Sequence, residues 1–120
     1  MNDAFRAGLD LFNSRAFYDC HDTWEDLWLD TTGPDRVFYQ GMIQMAVGYY
    51  HASNGNYRGA ASQLSKAVSK LTSYLPQHLG IPLHTLLPIV EAHGSEFETL
   101  PQHDETPFDI ERVPHIPTNE

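Results

Sequence analysis

Apolar residues recur every three or four positions over most of the chain, the period of a helix with one buried side. Phe5, Leu9 and Phe12 make the first such stripe, with Asn2 or Asp3 placed to cap it and Asn13-Ser14-Arg15 to end it. A second helix is predicted from about Ala16 to Asp30. Thr31-Thr32-Gly33 closes it, and Pro34 suits the first position of a third helix that runs to about Ser53. Asn54-Gly55-Asn56 ends that helix and caps a fourth, whose stripe is Tyr57, Ala60, Ala61, Leu64, Val68 and Leu71 and which must stop before Pro76. After Gly80-Ile81-Pro82, Thr85 is placed to cap a fifth helix. Pro88 then falls in its first turn, where a missing N–H is harmless, and Leu86, Ile89, Val90, His93 and Phe97 face inward, although Gly94 weakens the helix.

Past Leu100 the pattern changes. Pro101, Pro107, Pro114 and Pro117 stand among charged residues, with Phe108, Ile110, Val113 and Ile116 as apolar anchors. Residues 1–100 thus read as one helical domain and 101–120 as an extended tail, either strapped across the helices or partly disordered. Sliding the chain by 40 residues superimposes Gly8 on Gly48, Phe17 on Tyr57, Cys20 on Ala60, Trp24 on Leu64 and Leu27 on Ala67. The third helix is apolar almost all round and is expected to lie buried between the second and the fourth. The expected fold is an all-α five-helix bundle: two stacked tetratricopeptide-like hairpins, a capping fifth helix and the tail.

Composition narrows the partners. The 120 residues suit a single domain, and 16 acidic against 7 basic side chains give a net charge of -9. That charge opposes approach to a phosphate backbone or an anionic lipid surface, so neither nucleic acid nor membrane is expected, which leaves a small molecule, another protein or a second copy of the chain. Met1-Asn2-Asp3 has no basic n-region and no apolar run reaches spanning length. A cytoplasmic location follows as an expectation, in keeping with a lone cysteine, Cys20.

Candidate chemistry sits at the edge of the second helix. With Phe17 set at zero and about 100° per residue, Cys20, Trp24, Leu27 and Trp28 form the buried stripe, and Asp19, Asp22, Asp26 and Asp30 a solvated face. His21 and Glu25 fall between, at about 40° and 80°. On the third helix Gln40, Gln44 and His51 lie within about 40° of one another, with Gly41 and Gly48 able to admit another backbone. A buried polar group without a partner costs on the order of 1–3 kcal/mol, so His21 and Glu25 are expected to face this line.

Two imidazoles and a carboxylate, His21, Glu25 and His51, match ligand sets that hold zinc-type or iron ions with open positions. Glu25 then serves as general base for a bound water, Gln40 or Gln44 orients a ligand, and Trp28 walls off solvent, as in a metal-dependent hydrolase. The same residues also suit a hydrogen-bond network that locks the packing, or the polar floor of a groove for a peptide or small molecule. Cys20 is read as core. His78, His84, His93, His103 and His115 share no spacing and are expected at the surface or in loops, although His93 also falls on the inward stripe of the fifth helix.

His21-Asp22-Thr23-Trp24-Glu25-Asp26-Leu27-Trp28 and Gln40-Gly41-Met42-Ile43-Gln44-Met45-Ala46, followed by Tyr50-His51 and Gly55-Asn56-Tyr57-Arg58-Gly59-Ala60, resemble the bacterial and archaeal "domain of unknown function 309" family. That family is marked by a His-x3-Glu-x2-Trp/Tyr motif, and the resemblance covers roughly residues 5 to 75. It implies an all-helical fold and a metal-binding role for His21 and Glu25. Asp22 stands where the family often has Glu.

Overall fold

Asn2 caps the chain's first helix as its sequence position requires: its side chain accepts hydrogen bonds from the amides of Ala4 and Phe5. The computed structural model describes residues 1–102 and 108–118, so His103 and Pro107 of the sequence reading lie outside the described residues. Five helices follow one another, α1 (Asp3–Asn13), α2 (Phe17–Leu29), α3 (Asp35–Ser53), α4 (Tyr57–Leu71) and α5 (Leu83–Thr99). Single 3-10 turns occupy Thr72–Tyr74 and Ile110–Arg112, and among the described residues there is no strand, only an isolated bridge between His78 and Ile81. The all-α bundle expected from the periodicity is the fold. No helix among the described residues is long and apolar enough to cross a membrane.

Each helix packs mainly on its sequence neighbours, and α3 lies between α2 and α4. Its inner side, Phe38, Met42, Met45 and Tyr49, is wholly buried, which explains why its sequence is apolar nearly all round. The 40-residue repeat has a physical basis in two matching contacts. A Cβ on Gly8 would collide with the Trp24 indole, and a Cβ on Gly48 would sit 2.6 Å from Leu64 Cδ2. In each hairpin the glycine lets the large residue of the next helix rest against backbone.

The fifth helix departs from the sequence reading. Thr85 is not its cap; α5 begins at Leu83, because Pro82 carbonyl already accepts from the Thr85 and Leu86 amides, and the Pro76 carbonyl takes the His84 amide. Pro88 therefore sits in the second turn, not the first. The earlier start places Leu83, Leu86, Leu87, Val90, His93 and Phe97 inward and leaves Ile89, expected inside, 43% exposed.

His93 decides between two expectations: it is a buried core histidine, as its place on the inward stripe of the fifth helix has it, and not a surface one. Its Nδ1 lies 2.7 Å from the Tyr49 hydroxyl, with Phe97 and Phe108 packed against the ring. Burial lowers the His93 pKa, with Arg112 acting in the same direction and Glu96 against it, and burial likewise raises that of Tyr49. The unfolded chain protonates this imidazole near pH ~6.5, whereas the folded protein holds it neutral to lower pH. As pH falls below that value the unfolded state binds more protons, so His93 is expected to draw stability down. Melts of wild type and His93→Gln between neutral and mildly acidic pH check this: the wild type should lose more melting temperature than the variant.

The tail is strapped, not loose, over residues 108–118. Phe108, Val113 and Ile116 are buried, while Ile110 is only partly so. Asn13 clasps Ile116 through two hydrogen bonds, donating to its carbonyl and accepting from its amide. Arg15 donates to the Val113 carbonyl, Phe108 amide donates to the Tyr57 hydroxyl, and Arg112 pairs with Glu96 through both nitrogens.

Candidate functional site

The site expected at the edge of the second helix lies on the outer seam between α2 and α3, which the Gly33 turn folds back against each other. Gly33 adopts a φ of 83°, open to glycine and strained for other residues. At the loop end Arg36 donates to the carbonyls of Trp28 and Thr31 and places its guanidinium 4.2 Å from the Trp28 ring centre. At the far end the rings of Tyr18 and Tyr50 meet at 5.4 Å. Between these pins α2 offers Tyr18, His21, Glu25 and Trp28, and α3 offers Val37, Gln40, Gln44, Val47 and His51, both at alternating three- and four-residue steps. The register sets Gln44 level with His21 and Glu25.

His21 Nε2 lies 2.9 Å from Glu25 Oε2, one turn along α2, and His21 Nδ1 lies 3.4 Å from Asp22 Oδ1. His21 and His51 line one cleft of about 170 Å3 with Tyr18, Val47 and Tyr50. His51 turns its Nδ1 toward the Asn56 amide at 3.4 Å. Sequence position thus foretold that His21, Glu25 and His51 share a seam, while the tyrosines were missed as site residues. Tyr18 falls at about 100° on the same wheel, beside Glu25, and that angle was the available signal.

One expectation fails. Gln44 does not share a hydrogen-bond network with His21 and Glu25, because those two already satisfy each other along α2; Gln44 Oε1 is buried without a partner among the described residues, and so is Trp28 Nε1. Gln40 lies one turn nearer the loop and is half-buried. Cys20 is fully buried, burial pushes its thiol pKa up, and it is core as expected.

The fit to a metal ion can be judged from the donors. No group of three or more His, Cys, Asp or Glu side chains among the described residues could hold one. His21 and Glu25 bind each other, and His51 shares their cleft but points to Asn56, so the three donors do not converge. The residues as placed do not fit a three-ligand centre.

The model of the family described as "Domain of unknown function (DUF309)" matches residues 5–63, a span that contains the whole α2–α3 seam. Residues 5–63 belong to the DUF309 family. An uncharacterized protein of Bacillus subtilis (strain 168), YpuF, is 26% identical over 90 residues, covering 72% of this chain and 52% of YpuF. The chain thus spans about half the length of that relative. The DUF309 segment holds α1 to α3 and the first half of α4. His21, Glu25 and Trp28 lie within the matched span, while α5 and the strap fall outside it.

Proposed function

We propose that the DUF309 segment is a protein-binding module whose α2–α3 cleft takes one apolar side chain from a positively charged partner. The cleft itself carries the reading. At about 170 Å3 it is smaller than the roughly 300–1,000 Å3 typical of small-molecule sites and suits a single large side chain. Its walls are two tyrosines, two histidines and a valine, and Tyr18 is 53% exposed, the kind of ring that anchors interfaces at little entropic cost. Asp22 is exposed beside it, 3.4 Å from His21, and Glu25 borders it, which favours lysine or arginine next to the inserted group. The repeated glycine contacts support a tetratricopeptide-like stacking of the hairpins, an architecture suited to binding in grooves. Two buried polar atoms without partners, on Gln44 and Trp28, each cost on the order of 1–3 kcal/mol, and such local costs are expected at functional sites.

Titration with a lysine-rich peptide carrying one phenylalanine tests the proposal. Tyr18→Ala should weaken binding about tenfold, a loss of ~1.4 kcal/mol, with little change in melting temperature because the ring is half in solvent. Equal affinity for wild type and Tyr18→Ala would remove the docking reading. Gln44→Leu should leave stability unchanged or raise it by about 1 kcal/mol, since it deletes an unpaired acceptor. A second reading, a divalent ion held by two imidazoles and not by a three-ligand centre, is favoured by one observation: His21 and His51 share the cleft. Zinc that stabilises wild type but not His21→Ala or His51→Ala would establish it in place of the first.

A further inference from the structure

We infer that the partner segment is a basic amphipathic helix lying along the seam and anchored at both ends; this rests on the docking reading above and specifies the partner. The apolar surface does not stop at the cleft. Leu29 is 60% exposed and Val37 46% exposed at the loop end, while Tyr18, Val47 and Tyr50 mark the other. From Val37 to His51 the α3 side of the seam runs about 21 Å, and Tyr18 and Leu29 stand three turns apart on α2, about 16 Å. A helix of roughly 14 residues spans that length.

Backbone chemistry favours a helix over an extended strand. The amides and carbonyls of α2 and α3 are spent on their own ladders, so a strand laid in this channel would lose water from its backbone groups and gain no partners. A helix carries its backbone bonds with it, and its ridges can enter the groove between two antiparallel helices. Side chains separated by eleven residues fall within about 20° of one another on a helix, which matches the Tyr18 to Leu29 separation. Between the anchors α3 presents the half-buried Gln40 as an acceptor for a lysine or arginine of the partner.

Charge selects the occupant. A second copy of this chain would bring another net charge of -9 against Asp22 and Glu25, and an anionic bilayer would meet the same repulsion. A helix with lysines flanking two apolar anchors meets attraction from Asp22 and Glu25 midway along the seam.

The test uses the full chain and two labelled peptides of about 18 residues. One is a lysine- and alanine-rich helix former with phenylalanines eleven positions apart, and the other has the same composition with two central alanines replaced by proline. The helical peptide should bind at least about tenfold more tightly in fluorescence anisotropy and gain helical circular dichroism on binding. Leu29→Asp should weaken the helical peptide about tenfold and leave a short single-phenylalanine peptide unaffected. Equal binding of the two long peptides, abolished in both cases by Tyr18→Ala, would overturn the helix inference and leave the docking reading standing. Failure of every peptide to bind, the short one included, would overturn both.

Discussion

Trp24→Ala is expected to lower folding stability by about 3–5 kcal/mol, a large part of the 5–15 kcal/mol that holds a domain of this size together. Trp24 is completely buried, lies between Phe5 and Phe12 at ring separations of 5.6 and 6.4 Å, and donates its Nε1–H to the Phe5 carbonyl at 3.1 Å. Truncation removes the packing of both rings and one hydrogen bond to a carbonyl that keeps its helical partner. The second hairpin suggests a milder replacement. Leucine does at position 64 what tryptophan does at 24, each lying on a glycine of the preceding helix. Trp24→Leu should therefore cost about half as much as Trp24→Ala. Chemical denaturation of the two variants gives the comparison, and equal losses would mean that the glycine contact does not organise the hairpin.

Phe108→Ala should cost less, about 2–3 kcal/mol, and in a different way. Phe108 closes a ring cluster with Phe97 at 4.8 Å and His93 at 5.2 Å, and the Arg112 guanidinium lies 4.9 Å from its centre. Truncating a buried aromatic ordinarily costs more, but a strap can lift away from the bundle, which limits the loss to its own docking free energy. Hydrogen exchange distinguishes the cases. Amides of Val113 and Ile116 should lose protection in the variant while those of α2 and α3 keep theirs. Uniform loss across the chain would show that the strap is an integral part of the cooperative core.

Helix periodicity made most of this molecule legible because the bundle is assembled from neighbours in sequence. Caps at Asn2 and Asn56, the glycine breaks and the apolar stripes are local signals, and the structure follows them within a residue or two. The 40-residue repeat was legible for the same reason, since Gly8 and Trp24 or Gly48 and Leu64 meet within one hairpin. What escaped depends on distant partners. Thr85 has a capping side chain, yet α5 starts earlier because the Pro76–Pro82 loop accepts its first amides. His93 fell on the inward stripe of α5, but its partners were not legible, since Tyr49 lies 44 residues upstream and the strap completes the burial. At the site, helical angles brought His21, Glu25 and His51 to one seam but could not show which polar atoms pair. Glu25 satisfies His21 within α2, and Gln44 is left without a partner.

The strap also divides the molecule by time. Contacts among the five helices close loops of a few tens of residues at most, so the bundle should assemble rapidly, as low-contact-order helical domains do. The hydrogen bonds from Asn13 to Ile116 and from Arg15 to Val113 instead join groups about a hundred residues apart, and both acceptor and donor positions exist only after the α1–α2 corner is built. Chain closure at that corner is thus expected to be the last event of folding and the first of unfolding. During synthesis on a ribosome it must wait until Val113 and Ile116 emerge, which leaves the α1–α2 corner uncovered until then.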